Sequence, residues 1–130
     1  VRGIYKHLVS NSTSSETTNT NGVTAFNSDG FTVGSDLNEN QSGAPLVAWN
    51  WKANGSGVSN TDGSITSTVS ASTGSGFSIV SYVGSGSSAT IGHGLSQKAE
   101  MVIVKNRGDS GWLFVTAKAT RGRIAAPSTA

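Results

Sequence analysis

Val23-Thr24-Ala25-Phe26-Asn27-Ser28-Asp29-Gly30-Phe31-Thr32-Val33 reads as two short runs folded around a turn. Asp-Gly supplies the positive φ angle that a tight turn needs, and the flanking β-branched and aromatic residues suit a pleated surface. The segment is a hairpin by this reading. Similar punctuation recurs at Asn21-Gly22, Asn54-Gly55, Asp62-Gly63, Gly84-Ser85-Gly86 and Gly108-Asp109. Between these turns lie further strand-length runs: Leu46 to Trp51, Ser64 to Ser70, Phe77 to Val83, Met101 to Lys105 and Trp112 to Ala117. Short strands at regular spacing predict a sandwich or a barrel. Helix signals are thin, since Ile4-Tyr5-Lys6-His7-Leu8 lacks a helical period. The expected fold is all-β, an antiparallel β-sandwich of lectin-like or jelly-roll-like type, forming one unit of a tandem or polymeric array.

Ser, Thr, Asn and Gly make up 63 of the 130 residues, and only 35% are hydrophobic. Such residues disfavour helices by competing for backbone hydrogen bonds or by entropy. The apolar residues cluster at strand length, which argues against disorder. There is no cysteine, so neither a disulfide framework nor a thiolate metal site exists. That absence points to a bacterial or phage protein, or to stability from oligomerisation. No apolar run matches a membrane-spanning helix or a signal peptide. The chain begins at Val1, which reads as an internal piece of a longer polypeptide or a processed one.

Charge is unevenly placed. Residues 1–7 carry a net +2, residues 8–97 a net −4 and residues 98–130 a net +4. A basic stripe alone is a weak nucleic-acid footprint, and a solvated strand face with a loose end explains it more simply. The opposed signs predict head-to-tail contact between copies, weakened by salt. The organisation reads as a first β segment over 1–52, a Gly/Ser/Asn linker over 53–61, a second β segment over 62–117 and a basic, Ala-rich tail over 118–130. Two echoes, a turn then a Phe-opened strand (Gly30-Phe31 and Gly76-Phe77) and the recurrence of Arg2-Gly3 at Arg121-Gly122, hint at a repeat.

Eight stretches resemble, in order, segments of the large repetitive virion proteins of marine tailed phages. They are Val1-Arg2-Gly3, Ser10-Asn11-Ser12-Thr13, Thr24 to Phe31, Val47-Ala48-Trp49-Asn50-Trp51-Lys52-Ala53, Ser59 to Thr66, Gly76 to Tyr82, Ile91-Gly92-His93-Gly94-Leu95 and Met101 to Arg107. The likeness covers the chain to about Val115; residues 116–130 depart from it. It implies a tail-fibre-like or appendage protein on the virion surface with a lectin-like sandwich, and it brings no catalytic set.

Candidate chemistry is sparse. Gly92-His93-Gly94 has one further histidine, His7, to share a metal, and no short-range carboxylate, so a structural turn is the better reading. Asn27/Asp29 and Asn60/Asp62 faintly resemble the start of a calcium loop, with Asp36 and Glu39 following the first; turn chemistry explains both, and calcium stays an open question. No acid pair, nucleophile elbow or phosphate loop is present. Arg107-Gly108-Asp109-Ser110 reads as a hairpin turn. Trp49 and Trp51, two apart, would share a strand face. Exposed, they would stack on sugar rings; buried, they would anchor a core or a seam, and the scarcity of other bulk favours burial. Tyr82 and Trp112 carry the same ambiguity. The expectation is a non-enzymatic virion module (tail fibre, appendage or capsid decoration) serving assembly and host attachment, with no cofactor. Its partners would be copies of itself and other virion proteins. The alternative is a glycan-binding adhesion module using Trp49, Trp51, Tyr82 and Trp112 on host surface polysaccharide. A polysaccharide depolymerase has the least support.

Overall fold

A computed structural model describes residues 3–108 and 111–116, the last five of these by backbone. The fold is all-β, with antiparallel strand pairs and one short helix. The basic tail, the Arg121-Gly122 echo and the Asp109-Ser110 half of the turn read at Arg107–Ser110 lie outside the described residues. Two compact units form: one from Trp49–Ala99, the other from the described residues of 3–48 and 100–116.

The Trp49–Ala99 unit is built on a three-stranded sheet in the order β5-β6-β7. Its strands are β5 (Val58–Asn60), β6 (Ser67–Ser72) and β7 (Phe77–Ser81). Val58 pairs with Val69, and Val69 with Val80; Ser72 pairs with Phe77 at the turn. Alternation along β6 divides its side chains between two faces. Ser67, Val69 and Ala71 share one face; Thr68, Ser70 and Ser72 share the other. Coil packs on both.

On the first face lie Gly92 and Gly94. A Cβ at Gly94 would meet Val69 Cγ1 at 2.9 Å and Ala71 Cβ at 3.2 Å, so glycine lets the backbone lie on the sheet. Ser67 Oγ donates to the Gly92 carbonyl at 3.4 Å. On the second face Ser70 Oγ accepts from the Asn54 N–H at 3.0 Å and donates to the Gly55 carbonyl at 2.8 Å. Ser75 Oγ donates to the Lys52 carbonyl at 3.1 Å.

The interior is small and half polar. Val69, 3% exposed, is the only buried apolar side chain among the described residues, and Ser67 and Ser70 are buried with it. Hydroxyl hydrogen bonds replace bulk apolar contact because β6 is mostly Ser and Thr. Such buried hydroxyls must be partnered, and Ser67 and Ser70 are.

The second unit contains β1 (Lys6–His7) paired with β2 (Thr17–Thr18), β3 (Val23–Phe26) with β4 (Phe31–Val33), and β8 (Met101–Lys105) with β9 (Trp112–Thr116). The β3–β4 hairpin closes with the Asn27 N–H donating to the Gly30 carbonyl at 2.8 Å. A register shift between Val23 and Ala25 marks a bulge at Thr24. The Glu16 N–H donates to the Arg107 carbonyl at 2.8 Å, tying the polar segment before β2 to the end of β8.

Three local readings need correction. Leu46 to Trp51 is not a strand: residues 44–54 carry no regular structure. Val47 is the one β-branched residue in that run, and side-chain hydroxyls hold the backbone that follows it at Lys52, Asn54 and Gly55. Val58–Asn60, inside the stretch read as a linker, is a strand instead. A four-residue helix, α1 (Leu37–Asn40), went unread. Its signal was Asp36 with Glu39 three residues later, the pattern of a capping box.

Asp36 Oδ1 accepts from the Asn38 N–H at 2.8 Å and from Asn38 Nδ2 at 2.9 Å; Oδ2 accepts from Asn19 Nδ2 at 2.6 Å. The Asn38 backbone N–H, then the Asn19 amide, hold this carboxyl below its ordinary range. A lowered folded-state value means that the ionised form stabilises the fold. That contribution is present above the unfolded value and is lost as pH falls through the lower folded one. Urea melts should therefore show wild type losing more stability than Asp36→Asn on going from about pH 5 to about pH 2. Equal losses would remove the cap from the acid response.

Candidate functional site

Trp49 and Trp51 are the most exposed aromatic side chains of the Trp49–Ala99 unit. Trp51 stacks on Phe77, centroids 5.9 Å apart and rings 16° from parallel. Phe77 opens β7 on the Ser70 face, because it pairs with Ser72. The segment that Ser70 holds by Asn54 and Gly55 begins with Trp51, so the hydroxyl anchor and the ring stack support each other. Trp51 is still 63% exposed and Trp49 is 74% exposed.

Burial in the chain's own core is thus overturned for both indoles, while a seam between copies is a separate matter. A six-residue central strand of Ser, Thr, Val and Ala leaves no interior wide enough to enclose them. They do not share a strand face either, since they stand on irregular backbone. Tyr82 follows β7 and is exposed. Trp112 opens β9 in the other unit, and its side chain lies outside the described set. Sequence reading missed Phe77 as the partner ring; its signal was its place directly after Thr73-Gly74-Ser75-Gly76, at the mouth of a strand.

A shallow hollow of about 370 Å³ lies on the other side of the same unit, lined by Asp62, Gly63, Thr90, Gly92, His93 and Leu95 among others. The Ser64 N–H donates to Thr90 Oγ1, and the Thr90 N–H donates to Ser64 Oγ, both at 2.9 Å. The Ile65 N–H donates to the Thr90 carbonyl at 3.1 Å. His93 Nδ1 accepts from the Leu95 N–H at 3.0 Å, which uses that nitrogen's lone pair in a turn. Asn60 Oδ1 accepts from the Asp62 N–H at 2.9 Å, and Asn60 Nδ2 donates to Asp62 Oδ2 at 3.3 Å. These bonds engage Thr90, His93 Nδ1 and Asp62 of the hollow's lining.

Among the described residues no three His, Cys, Asp or Glu side chains are grouped to hold a metal ion. Both oxygens of Asp36 face amide donors. No helix among the described residues is long and apolar enough to cross a membrane.

Comparison with known proteins returns a single family. Its model, described as a domain of unknown function (DUF7483), matches residues 1–125. No curated protein matches the chain, and no solved structure does. With nearly its whole length matched, the chain belongs to the family of the domain of unknown function DUF7483.

Proposed function

We propose that the chain is a non-enzymatic structural module of a phage virion, in a tail fibre, appendage or capsid decoration, and that neighbouring virion subunits cover its apolar side chains. One observation carries this reading. Val69 is the only buried apolar side chain among the described residues, while Val47, Leu46, Val58, Val83 and both indoles stand exposed. Burying apolar surface is worth roughly 25 cal/mol per Å², so such surface favours association. Exposed apolar area beyond that of an ordinary monomer marks an interaction surface. The lectin-like sandwich is completed, in this reading, by neighbouring copies. The phage setting rests on the sequence resemblance.

A second reading, glycan binding at a host surface, is favoured by the Trp51–Phe77 stack. One face of the indole is fixed on the sheet while most of the ring remains open to a sugar. Stacked aromatic rings of this kind present a flat apolar surface at little entropic cost.

A cryo-EM map of the native particle tests both. The structural reading expects repeated copies with Val47, Trp49 and Trp51 in intersubunit seams. A domain projecting singly with both indoles bare at its tip would instead establish the adhesion reading. Absence of the chain from any particle would overturn the two together.

A further inference from the structure

Strand β7 pairs with β6 through five consecutive residues, Phe77 to Ser81, without a bulge. It stands at the end of the sheet order. Among the described residues, no backbone hydrogen bond joins residues 77–83 to any other strand or loop. Its outward N–H and C=O groups are therefore a bare ladder. Sheet edges are normally blunted by Lys, Pro, a bulge or shortness. β7 has none of these. The other edge, β5, is three residues long and runs into the Asp62 turn.

We propose that β7 pairs antiparallel with β7 of a second copy, joining the two sheets into one across a two-fold axis. This names a partner for the assembly reading above and rests on that reading only for its biological setting. Two features select a second copy. No Asp, Glu, Lys or Arg occurs between Asp62 and Lys98. An identical uncharged edge can meet this one without stranding a charge, whereas a charged strand would lose hydration and gain no counter-charge. The lengths also match: β7 with itself forms five ladder pairs, while β7 with β5 is limited to three. Full overlap sets Ile79 against Ile79 of the other copy, with Phe77 against Ser81 and Ser78 against Val80. Such an isologous contact closes as a dimer, whereas edge-to-edge β5–β7 pairing would propagate.

The test uses the full chain, which holds no native cysteine. Directly opposed residues in an antiparallel pair have Cα atoms about 4.5–5.5 Å apart, a spacing a disulfide can bridge. Ile79→Cys is expected to form a covalent dimer on mild oxidation, at least ~10-fold faster than Val58→Cys on the other edge, as effective concentration across a docked pair requires. Ile79→Lys and Ile79→Glu should each sediment as monomers, and their mixture should restore the dimer. Indole fluorescence like that of wild type would show that the unit still folds. Equal cross-linking at Val58, no cross-linking at Ile79, or a dimer that survives Ile79→Lys would overturn the proposal. A monomer in solution that nonetheless repeats through a particle would sink β7 pairing and spare the virion reading. A β7 dimer absent from every particle would do the reverse.

Discussion

Gly63→Val is expected to destabilise the Trp49–Ala99 unit more than any other single glycine substitution in it. Gly63 sits at φ +100°, where an L side chain is strained. A Cβ there would stand 2.5 Å from the Thr90 carbonyl oxygen and 2.8 Å from its carbon. Both atoms are backbone, so no flexible side chain can move aside. The strain alone costs about 1–2 kcal/mol. Parting the backbones would also break the two Ser64–Thr90 hydrogen bonds and the one from Ile65, each worth roughly 0.5–1.5 kcal/mol net. The total is roughly 3–6 kcal/mol, comparable with the whole stability of a marginal domain. Gly74→Ala is the control: its Cβ meets nothing within 4 Å. It should change the unfolding free energy by less than about 0.5 kcal/mol. Urea unfolding followed by indole fluorescence measures both. Matching midpoints for Gly63→Val and Gly74→Ala would mean that the two backbones do not approach as described.

Ser70→Ala has the next largest expected effect, and it is local before it is global. Ser70 is 1% exposed, and its hydroxyl is the clasp between β6 and Asn54-Gly55. Removing it strips a partner from one N–H and one carbonyl, which costs about 1–3 kcal/mol where water cannot replace it. Asn54 and Gly55 are themselves exposed, which places the loss at the lower end. The sharper readout is hydrogen exchange: the Asn54 amide should lose its protection while β6–β7 amides keep theirs. Since Trp51 precedes this clasp, its stack on Phe77 should loosen as well, with a red-shifted indole emission. An Asn54 amide that exchanges at the wild-type rate would show that another contact holds the segment.

The hairpin at Val23–Val33, the β7 strand and the β8–β9 pair were legible because each is a local event, a turn-forming sequence or an alternation of side chains beside it, although Gly76, and not Gly30, takes the positive φ read from the turn chemistry. Gly76-Phe77 announced a strand start for the same reason. The Ser70 clasp was not legible. Ser70 is one of many serines, and only the tertiary approach of Asn54 and Gly55 singles it out. Trp49 and Trp51 were misread as core residues on a strand for a related cause. Scarce aromatic bulk suggested burial, but burial needs a cavity-forming partner layer, and β6 offers hydroxyls instead. The Gly92-His93-Gly94 motif, read as a structural turn, lies close against Asn60, Val69 and Ala71.

An interior of Ser67, Val69 and Ser70 has a thermal consequence. Heat capacity rises on unfolding mainly because apolar surface meets water, while newly wetted polar surface lowers it. Typical domains gain about 12–15 cal/mol/K per residue by that balance. With one valine and two serines as the buried side chains among the described residues, an isolated chain gains far less. Its stability curve is correspondingly shallow, so cooling neither strengthens the fold much nor brings cold unfolding within reach.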